Sequence, residues 1–371
     1  MTPTFGSMVL ALRAPALAAI LMLTTADRSD VAVYSITDLG ALSGGTSEGD
    51  ALNNAGQIAG GSTVSSGFEH PVLRDSTITD LGTLEGGSSG LATGINDHGE
   101  VVGYAGIDQY GPQFNEIAQA FLWRNGSMQS LGALWCPCDY NRRYGRSQAQ
   151  AINSMGDVVG FSETPRCASE HAFLWRDGQL IDISGGLGDP SSSRAFAIND
   201  AGQVVGLVVA NHCSFPTPPA RAFLWQNGAR QDLGVLPGHT TSAAFGINQS
   251  GQVVGESSDG SVTRAVRWDG TTIVALGELP GQVSSSALNI NSAGQIVGSS
   301  WATDRSVSRA TLWQDGVAHD LNDLVGAGGG WLLLDARAIN DSGAIVGAGI
   351  HGGEMRGFLL TPRTTATRRS G

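Results

Sequence analysis

The sequence predicts an all-β fold, a seven-bladed β-propeller of four-stranded antiparallel blades. Three observations carry the prediction. An Ile or Leu followed by Asn recurs at Asn53, Asn96, Asn153, Asn199, Asn248, Asn291 and Asn340, the copies lying between 43 and 57 residues apart. Each copy holds four runs of strand length, rich in Val, Ile, Phe and Trp and bounded by Gly, Asn and Asp. The repeat region also begins and ends in mid-copy, and the two fragments complete each other. Four short strands in about 45 residues, repeated, is the pattern of a propeller blade. No stretch of useful length has helical periodicity.

Within a copy, the Asn ends the first strand. A Gly follows three residues later (Gly56, Gly99, Gly156, Gly202, Gly251, Gly294, Gly343). The Asn side chain can bond the backbone ahead of it, and the Gly takes the left-handed position of the turn. The second strand is a short apolar run such as Val101-Val102, Val158-Val159 or Ile296-Val297. The third ends in Trp123, Trp175, Trp225, Trp268 or Trp313, as in Ala172-Phe173-Leu174-Trp175. Asn125-Gly126, Asp177-Gly178, Asn227-Gly228, Asp269-Gly270 and Asp315-Gly316 are expected to turn the third strand into the fourth. Both central residues of a type I′ turn need φ > 0, which these residues tolerate. The fourth strand carries Asp-Leu-Gly or a relative.

The blades are expected at approximately 47–84, 90–134, 147–187, 193–236, 242–279 and 285–325, with 334–362 completed by 34–42. The segment Tyr34–Gly40 reads as a fourth strand lacking its first three. Gly357–Pro362 reads as a third strand lacking its fourth. Their pairing would close the ring and remove the free edges of an open array. It also makes the Ile-Asn strand innermost and the Asp-Leu-Gly strand outermost.

The chain has 371 residues, 53 of them Gly, only 15% charged, with a formal charge of −12. Without an overall basic surface to displace counterions from phosphates, nucleic acid is not an expected partner. Residues 1–26 read as a signal peptide: Arg13, an apolar stretch of about ten residues, then the small residues Thr24, Thr25 and Ala26. A disordered N-terminus is the bland alternative. The stretch is too short for a membrane span, and no later segment is apolar enough. The tail 363–371 reads as disordered, without an anchor. The expected protein is therefore an exported monomer, periplasmic or extracellular. In such a compartment Cys136, Cys138, Cys167 and Cys213 default to disulfides. Blade geometry puts all four on one face, and Cys136 and Cys138 are expected to bridge to Cys167 and Cys213. A zinc site is the rival reading, but Cys-Pro-Cys lacks the usual spacer. No metal or cofactor is expected.

The same face carries the long insertions, 104–119, 135–147 and 208–220. Loops held by a rigid scaffold concentrate binding residues, and aromatic side chains beside Arg suit sugars and protein interfaces. The candidate ligand-binding residues are Trp135, Tyr140, Arg142, Arg143, Tyr144, Tyr110 and Phe215. Alternatively, these aromatics pack a small core within the insertions. A second candidate lies where the repeat is broken. The residue three before the Asn is Thr93, Phe196, Phe245 or Leu288 in four copies, but Asp50, Gln150 and Arg337 in the others. Closure should bring Glu48, Asp50, Asp335 and Arg337 together near the axis. Such a cluster could hold a cation, bind a polar ligand or perform acid–base work. It could equally be a polar latch across the closing seam.

The third strands begin with His70, Gln119, His171, Arg221, Arg264, Arg309 and Arg356. The four consecutive arginines form either a basic arc for an anionic ligand or, each with a fourth-strand Asp such as Asp232 or Asp320, diagonal pairs across the hairpin. The Trp residues, one per blade at a fixed hairpin position, read as blade-to-blade packing. No His pair has metal-ligand spacing, and there is neither a Gly-rich phosphate loop nor a Gly-x-Ser-x-Gly elbow.

His171-Ala172-Phe173-Leu174, Ala-Ile-Asn-Asp-x-Gly-Gln-Val-Val-Gly (197–206) and Asp-Leu-Gly-x-Leu-Pro-Gly (232–238) resemble the bacterial HAF family of probable extracellular repeats. The last blade is similar to that family's closing segment, through Asp320–Leu324, Gly330-Trp331, Ala338–Asn340, Ile345–Gly347 and Gly357–Pro362. The resemblance covers roughly Tyr34 to Pro362 and implies an exported repeat protein. It brings no activity and no catalytic residues, and the Cys-bearing insertions depart from it. The functional expectation is a binding or scaffolding propeller whose saccharide or protein ligand sits on the long-loop face of blades 2–4. The alternatives are an exported enzyme acting on glycans with the seam carboxylates, and a purely structural surface protein.

Overall fold

The Ile-Asn segments form the inner strands of seven blades: Ser47–Leu52, Gly90–Ile95, Ser147–Ile152, Ser192–Ile198, Thr241–Ile247, Ser284–Ile290 and Trp331–Ile339. The computed structural model describes residues 33–363 apart from residue 44 and the segments 108–116, 135–144, 165–168, 186–190, 211–217, 304–307 and 326–328. Its strands make seven four-stranded antiparallel sheets arranged in a ring, each running outward from its inner strand in chain order. Six sheets are continuous in sequence. In the seventh, Tyr34–Asp38 pairs with Glu354–Pro362, Tyr34 opposite Pro362 and Asp38 opposite Phe358. The first described strand is thus the outer strand of the last blade. Helix is confined, among the described residues, to the single turn Leu321–Leu324, and no helix is long and apolar enough to cross a membrane.

The core is divided among the gaps between blades. Trp175 and Phe173 of blade 3 pack against Val102, Ala120 and Leu122 of blade 2. Trp268 of blade 5 packs against Val205, Ala222 and Leu224 of blade 4, and Trp313 of blade 6 against Val254 and Ala265 of blade 5. Each Trp therefore covers the preceding blade. Serines at the start of the inner strands staple the same gaps: Ser147, Ser193, Ser242 and Ser285 accept from the N–H of Ala120, Ala172, Ala222 and Ala265 at 2.9–3.0 Å.

Four of the five expected outer hairpins turn on the Asn-Gly or Asp-Gly pair, with φ of 51–53° at Asn125, Asp177, Asn227 and Asp315. Blade 5 differs. Asp269 pairs with Thr272 inside the ladder, and the turn is Gly270-Thr271. The cause is the core. In every such hairpin the Trp faces the residue five positions on (Trp175 opposite Leu180, Trp268 opposite Ile273). Blade 5 lacks one residue between Trp and Asp, so keeping Trp268 buried moves the turn along by one.

A second regularity is built on glycine. Every inner strand has a β-bulge against its neighbour, between Gly49 and Ala51, Ala92 and Gly94, Ala149 and Ala151, Ala195 and Ala197, Ala244 and Gly246, Ala287 and Asn289, and Ala336 and Ala338. The extra residue is left out of the ladder. The glycine closing each second-strand run lies opposite. A Cβ on Gly160 would sit 2.0 Å from the Gln148 carbonyl oxygen, and one on Gly206 1.9 Å from that of Arg194. Only a residue without a side chain admits so close an approach.

Candidate functional site

The inner strands surround a central channel, and their sequence sets three levels in it. At the end bearing the tight first turns, each repeat Asn donates from Nδ2 to the carbonyl of the next repeat Asn. The bonds run Asn53 to Asn96 (3.0 Å), Asn96 to Asn153 (3.1 Å), Asn153 to Asn199 (3.3 Å), Asn199 to Asn248 (3.1 Å), Asn248 to Asn291 (3.1 Å), Asn291 to Asn340 (3.0 Å) and Asn340 back to Asn53 (3.1 Å). The circuit is closed. Each Asn Oδ1 meanwhile accepts the backbone N–H four residues on, as from Gln57 (2.8 Å) and Gln295 (2.9 Å). The Asn is thus both the turn-former that the sequence indicates and an inter-blade link that one repeat read alone does not reveal. A funnel of about 370 Å³ opens on this level.

Next comes a collar of aliphatic residues, one per blade, from Leu52 to Ile339, lying between the funnel and a second cavity of about 290 Å³. The second cavity is lined by the bulged residues themselves: Asp50, Thr93, Gln150, Phe196, Phe245, Leu288 and Arg337. Its two sides differ. Blades 7, 1, 2 and 3 contribute Arg337, Asp50, Thr93 and Gln150, and blades 4, 5 and 6 contribute Phe196, Phe245 and Leu288. The rings of Phe196 and Phe245 lie 5.4 Å apart, inclined at 58°. Because inner strands start at the long-loop face and end at the Asn turns, this cavity lies on the long-loop side of the collar.

The four seam residues meet at its polar side. Arg337 donates through Nη1 to Glu48 and, at 2.6 Å, to Asp50. Its Nε and Nη2 lie 3.3 and 3.4 Å from Asp335 Oδ2. Asp335 Oδ1 accepts the Ala348 N–H at 2.9 Å. Asp50 Oδ2 is enclosed and has no hydrogen-bond partner among the described residues. One guanidinium therefore serves three carboxylates. Burial pushes the Asp50 carboxyl up to about 6 against the pull of Arg337, with Glu48 and Asp335 adding to the rise. Burial would lower Arg337, but Asp50, Asp335 and Glu48 outweigh it and hold the guanidinium above its ordinary value. Burial and Glu48 also raise Glu69 nearby. With its donors engaged, Arg337 is not a free cation for an anionic ligand. The bonds from Arg337 to Glu48 and Asp50 cross from the last inner strand to the first.

The residues at the start of the third strands are paired within their own blades. His70 meets Asp80 at 3.0 Å, His171 meets Asp182 at 2.9 Å, Arg221 meets Asp232 at 3.3 Å and Arg309 meets Asp320 at 3.2 Å. Arg264 pairs with Glu278, and Gln119 accepts from Ser130 at 2.8 Å. Blade 7 is the exception: Arg356 turns to Glu354 at 2.6 Å. Of the four arginines, Arg221 and Arg309 are spent on diagonal pairs with a fourth-strand Asp, Arg264 on Glu278 beyond the fourth strand, and Arg356 on its own strand. The fourth-strand carboxylates also cap the next turn, Asp232 accepting the Gly234 N–H at 2.7 Å and Asp80 that of Gly82 at 2.8 Å.

Trp135, Tyr140, Arg142, Arg143, Tyr144, Tyr110 and Phe215, and the cysteines Cys136, Cys138, Cys167 and Cys213, lie outside the described residues. In the sequence they fall between Ile107 and Ile117, Leu134 and Gly145, Thr164 and Ser169, and Ala210 and Pro218. No group of three or more metal-binding side chains occurs among the described residues. The residues that sequence reasoning passed over as site-forming are the apolar bulge residues Phe196, Phe245 and Leu288. Their signal in the sequence is a glycine at a fixed place in the second strand, which in the structure pairs with the residue just before the bulge, as Gly206 does with Ala195.

Residues 85–233, from the approach to blade 2 to the end of blade 4, match a family model described as "Protein of unknown function (DUF3466)". No curated protein matches the chain. Among solved structures the fold is similar to the β-propeller domain of the Trilobed protease from Pyrococcus furiosus, at 9% identity over 89% of this chain and 94% of that one, TM-score 0.54. It is similar also to an oligogalacturonate lyase in complex with manganese, at 12% identity over 90% and 97%, TM-score 0.56. A third likeness is to puromycin hydrolase, at 12% identity over 84% of this chain and 51% of that one, TM-score 0.51. At these identities the likeness is of fold alone, and function has to be sought in the site.

Proposed function

We propose that this protein is an exported binding propeller that takes a saccharide on its long-loop face. The observation that carries the reading is the two-sided cavity on that side of the channel, polar over blades 7 to 3 and mainly apolar over blades 4 to 6, where Asn289 is the one polar side chain in the lining. Sugars present an apolar C–H face and a hydroxyl edge, and ligand sites commonly pair apolar walls with a few placed polar groups. In this reading Trp135, Tyr140, Tyr144, Tyr110 and Phe215 form the rim above the cavity, and Arg142 and Arg143 give it polar contacts. Residues 1–26 serve as the export signal and residues 363–371 as a tail. Cys136 and Cys138 bridge to Cys167 and Cys213 to hold the rim. The whole belongs with the HAF-type extracellular repeats.

The test is binding of the mature protein to a panel of neutral and acidic oligosaccharides, with turnover of every hit measured in the same samples. Binding that is lost in Trp135→Ala and Tyr140→Ala, with no product formed, is the expected result. Absence of any sugar binding sinks the reading in favour of a protein partner or a structural role. One observation favours a second reading, a glycan-acting enzyme: Asp50, held up to about 6, could hold a proton near neutral pH. Turnover abolished by Asp50→Asn would establish it.

A further inference from the structure

The channel cavity has unused hydrogen-bonding capacity beside its aromatic wall. The Gln150 amide has no hydrogen-bond partner among the described residues, and it lines the cavity. Asn289, also in the lining, accepts the Ile339 N–H through Oδ1 at 3.3 Å, which leaves its Nδ2 donors unspent. Thr93, by contrast, donates to the Ala149 carbonyl at 2.9 Å, and Arg337 is spent on the seam. Asp50 Oδ2 also lacks a partner but is enclosed, so the groups open to the cavity are amides, which donate and accept without carrying charge. The space, about 290 Å³, lies at the small end of ligand pockets, which run from roughly 300 to 1,000 Å³. It suits one ring and not a chain of them. Below it stands the aliphatic collar, which offers no hydrogen bonds to a hydroxyl group.

From these features we infer that the cavity is a terminal subsite. It takes the end ring of a neutral saccharide, with Phe196 and Phe245 against its apolar face and Gln150 and Asn289 at its hydroxyls, the remaining rings running out toward the long loops. The inference rests on the saccharide-binding reading and adds the mode: end-on recognition of a chain terminus. It also sets a charge preference. Glu48, Asp50 and Asp335 outnumber Arg337, so a carboxylate-bearing ring meets repulsion there. Uronic acid oligomers are excluded where neutral ones bind. The specificity of the site lies in the bulged residues and in Asn289, which pairs with Val297 in the ladder and still lines the cavity.

The probes are short linear oligomers of glucose, galactose and N-acetylglucosamine, cyclic oligomers of glucose, which have no end, and a linear galacturonate oligomer. Calorimetric titration into the full mature protein should show a linear neutral oligomer binding and the cyclic and galacturonate forms at least about tenfold weaker. Phe245→Ala and Gln150→Ala should each weaken it about tenfold, and Phe245→Tyr should retain most of the affinity. Gln150→Ala guards against a folding artefact, because that amide holds nothing else in place. Binding that is equal for cyclic and linear forms overturns the inference. So does binding that survives Gln150→Ala and Phe245→Ala but is lost in Trp135→Ala, which leaves the loop-face reading standing. If no oligomer binds the unaltered protein, both readings fall.

Discussion

At the scale of single residues, the repeat Asn does most to join blade to blade. Asn291 is 3% exposed. It donates to the Asn340 carbonyl and the Gln295 side chain and accepts the Gln295 N–H. Asn291→Ala strands those buried groups, and the expected loss is about 2–3 kcal/mol, read from the midpoint of denaturant unfolding. A loss within error of zero would mean that the ring is ornamental. Asp50 makes a pH prediction whose sign is fixed. Its folded carboxyl, raised to about 6 mainly by burial, binds a proton more tightly than in the unfolded chain. Its contribution is complete below the ordinary carboxylate range and is lost as pH rises through about 6. Melting temperatures of the unaltered protein should therefore fall between about pH 4.5 and pH 7.5, and Asp50→Asn should flatten that fall. An equally steep decline in the variant would refute the assignment to Asp50.

At the scale of the strand, the bulge and its facing glycine form one device. The glycine lets the neighbouring carbonyl approach, the bulge ejects one residue, and that residue becomes a channel wall. Gly206→Ala places a methyl carbon 1.9 Å from the Arg194 oxygen. It is expected to cost about 3 kcal/mol or more and to displace Phe196 from the cavity. Gly228→Ala is the control: φ is +84° but nothing lies near its Cβ, so the cost is the backbone term alone, about 1–2 kcal/mol. Thermal unfolding of the two variants separates the cases, and equal losses would show that the close approach is unimportant. The hairpin of blade 5 shows where local reading stops. Asp269-Gly270 is a good turn dipeptide by itself, but the burial of Trp268 sets the register, and the turn moves to Gly270-Thr271.

At the scale of the molecule, closure rests on two connections between the ends. The outer strand Tyr34–Asp38 fills the edge of Glu354–Pro362, with Tyr34 fully buried. The Arg337 cluster and the Asn340-to-Asn53 bond join the inner strands. A chain beginning at Leu42 loses the first connection and exposes a long strand edge. It is expected to melt lower than the full chain and to elute in larger species on size exclusion. A truncated chain that melts and elutes like the full one would show that the inner connections suffice.

Blade number, strand order, closure and the diagonal pairing of Arg221 and Arg309 with fourth-strand Asp residues were legible in the sequence. Each depends on a local pattern copied seven times, and repetition makes a weak local signal strong. The meeting of Glu48, Asp50, Asp335 and Arg337 was legible for the same reason, since closure brings the first and last copies together. The Asn circuit, the bulges and the two-sided cavity were decided by the tertiary structure. They arise only when seven inner strands are set around one axis, where each Asn finds a carbonyl on the next blade and each expelled residue finds the others across the channel. A sequence specifies which residue stands at each repeat position. Only the closed ring determines that Phe196 and Phe245 share one cavity with Asp50 and Gln150, because that meeting is a property of the circle and of no single blade.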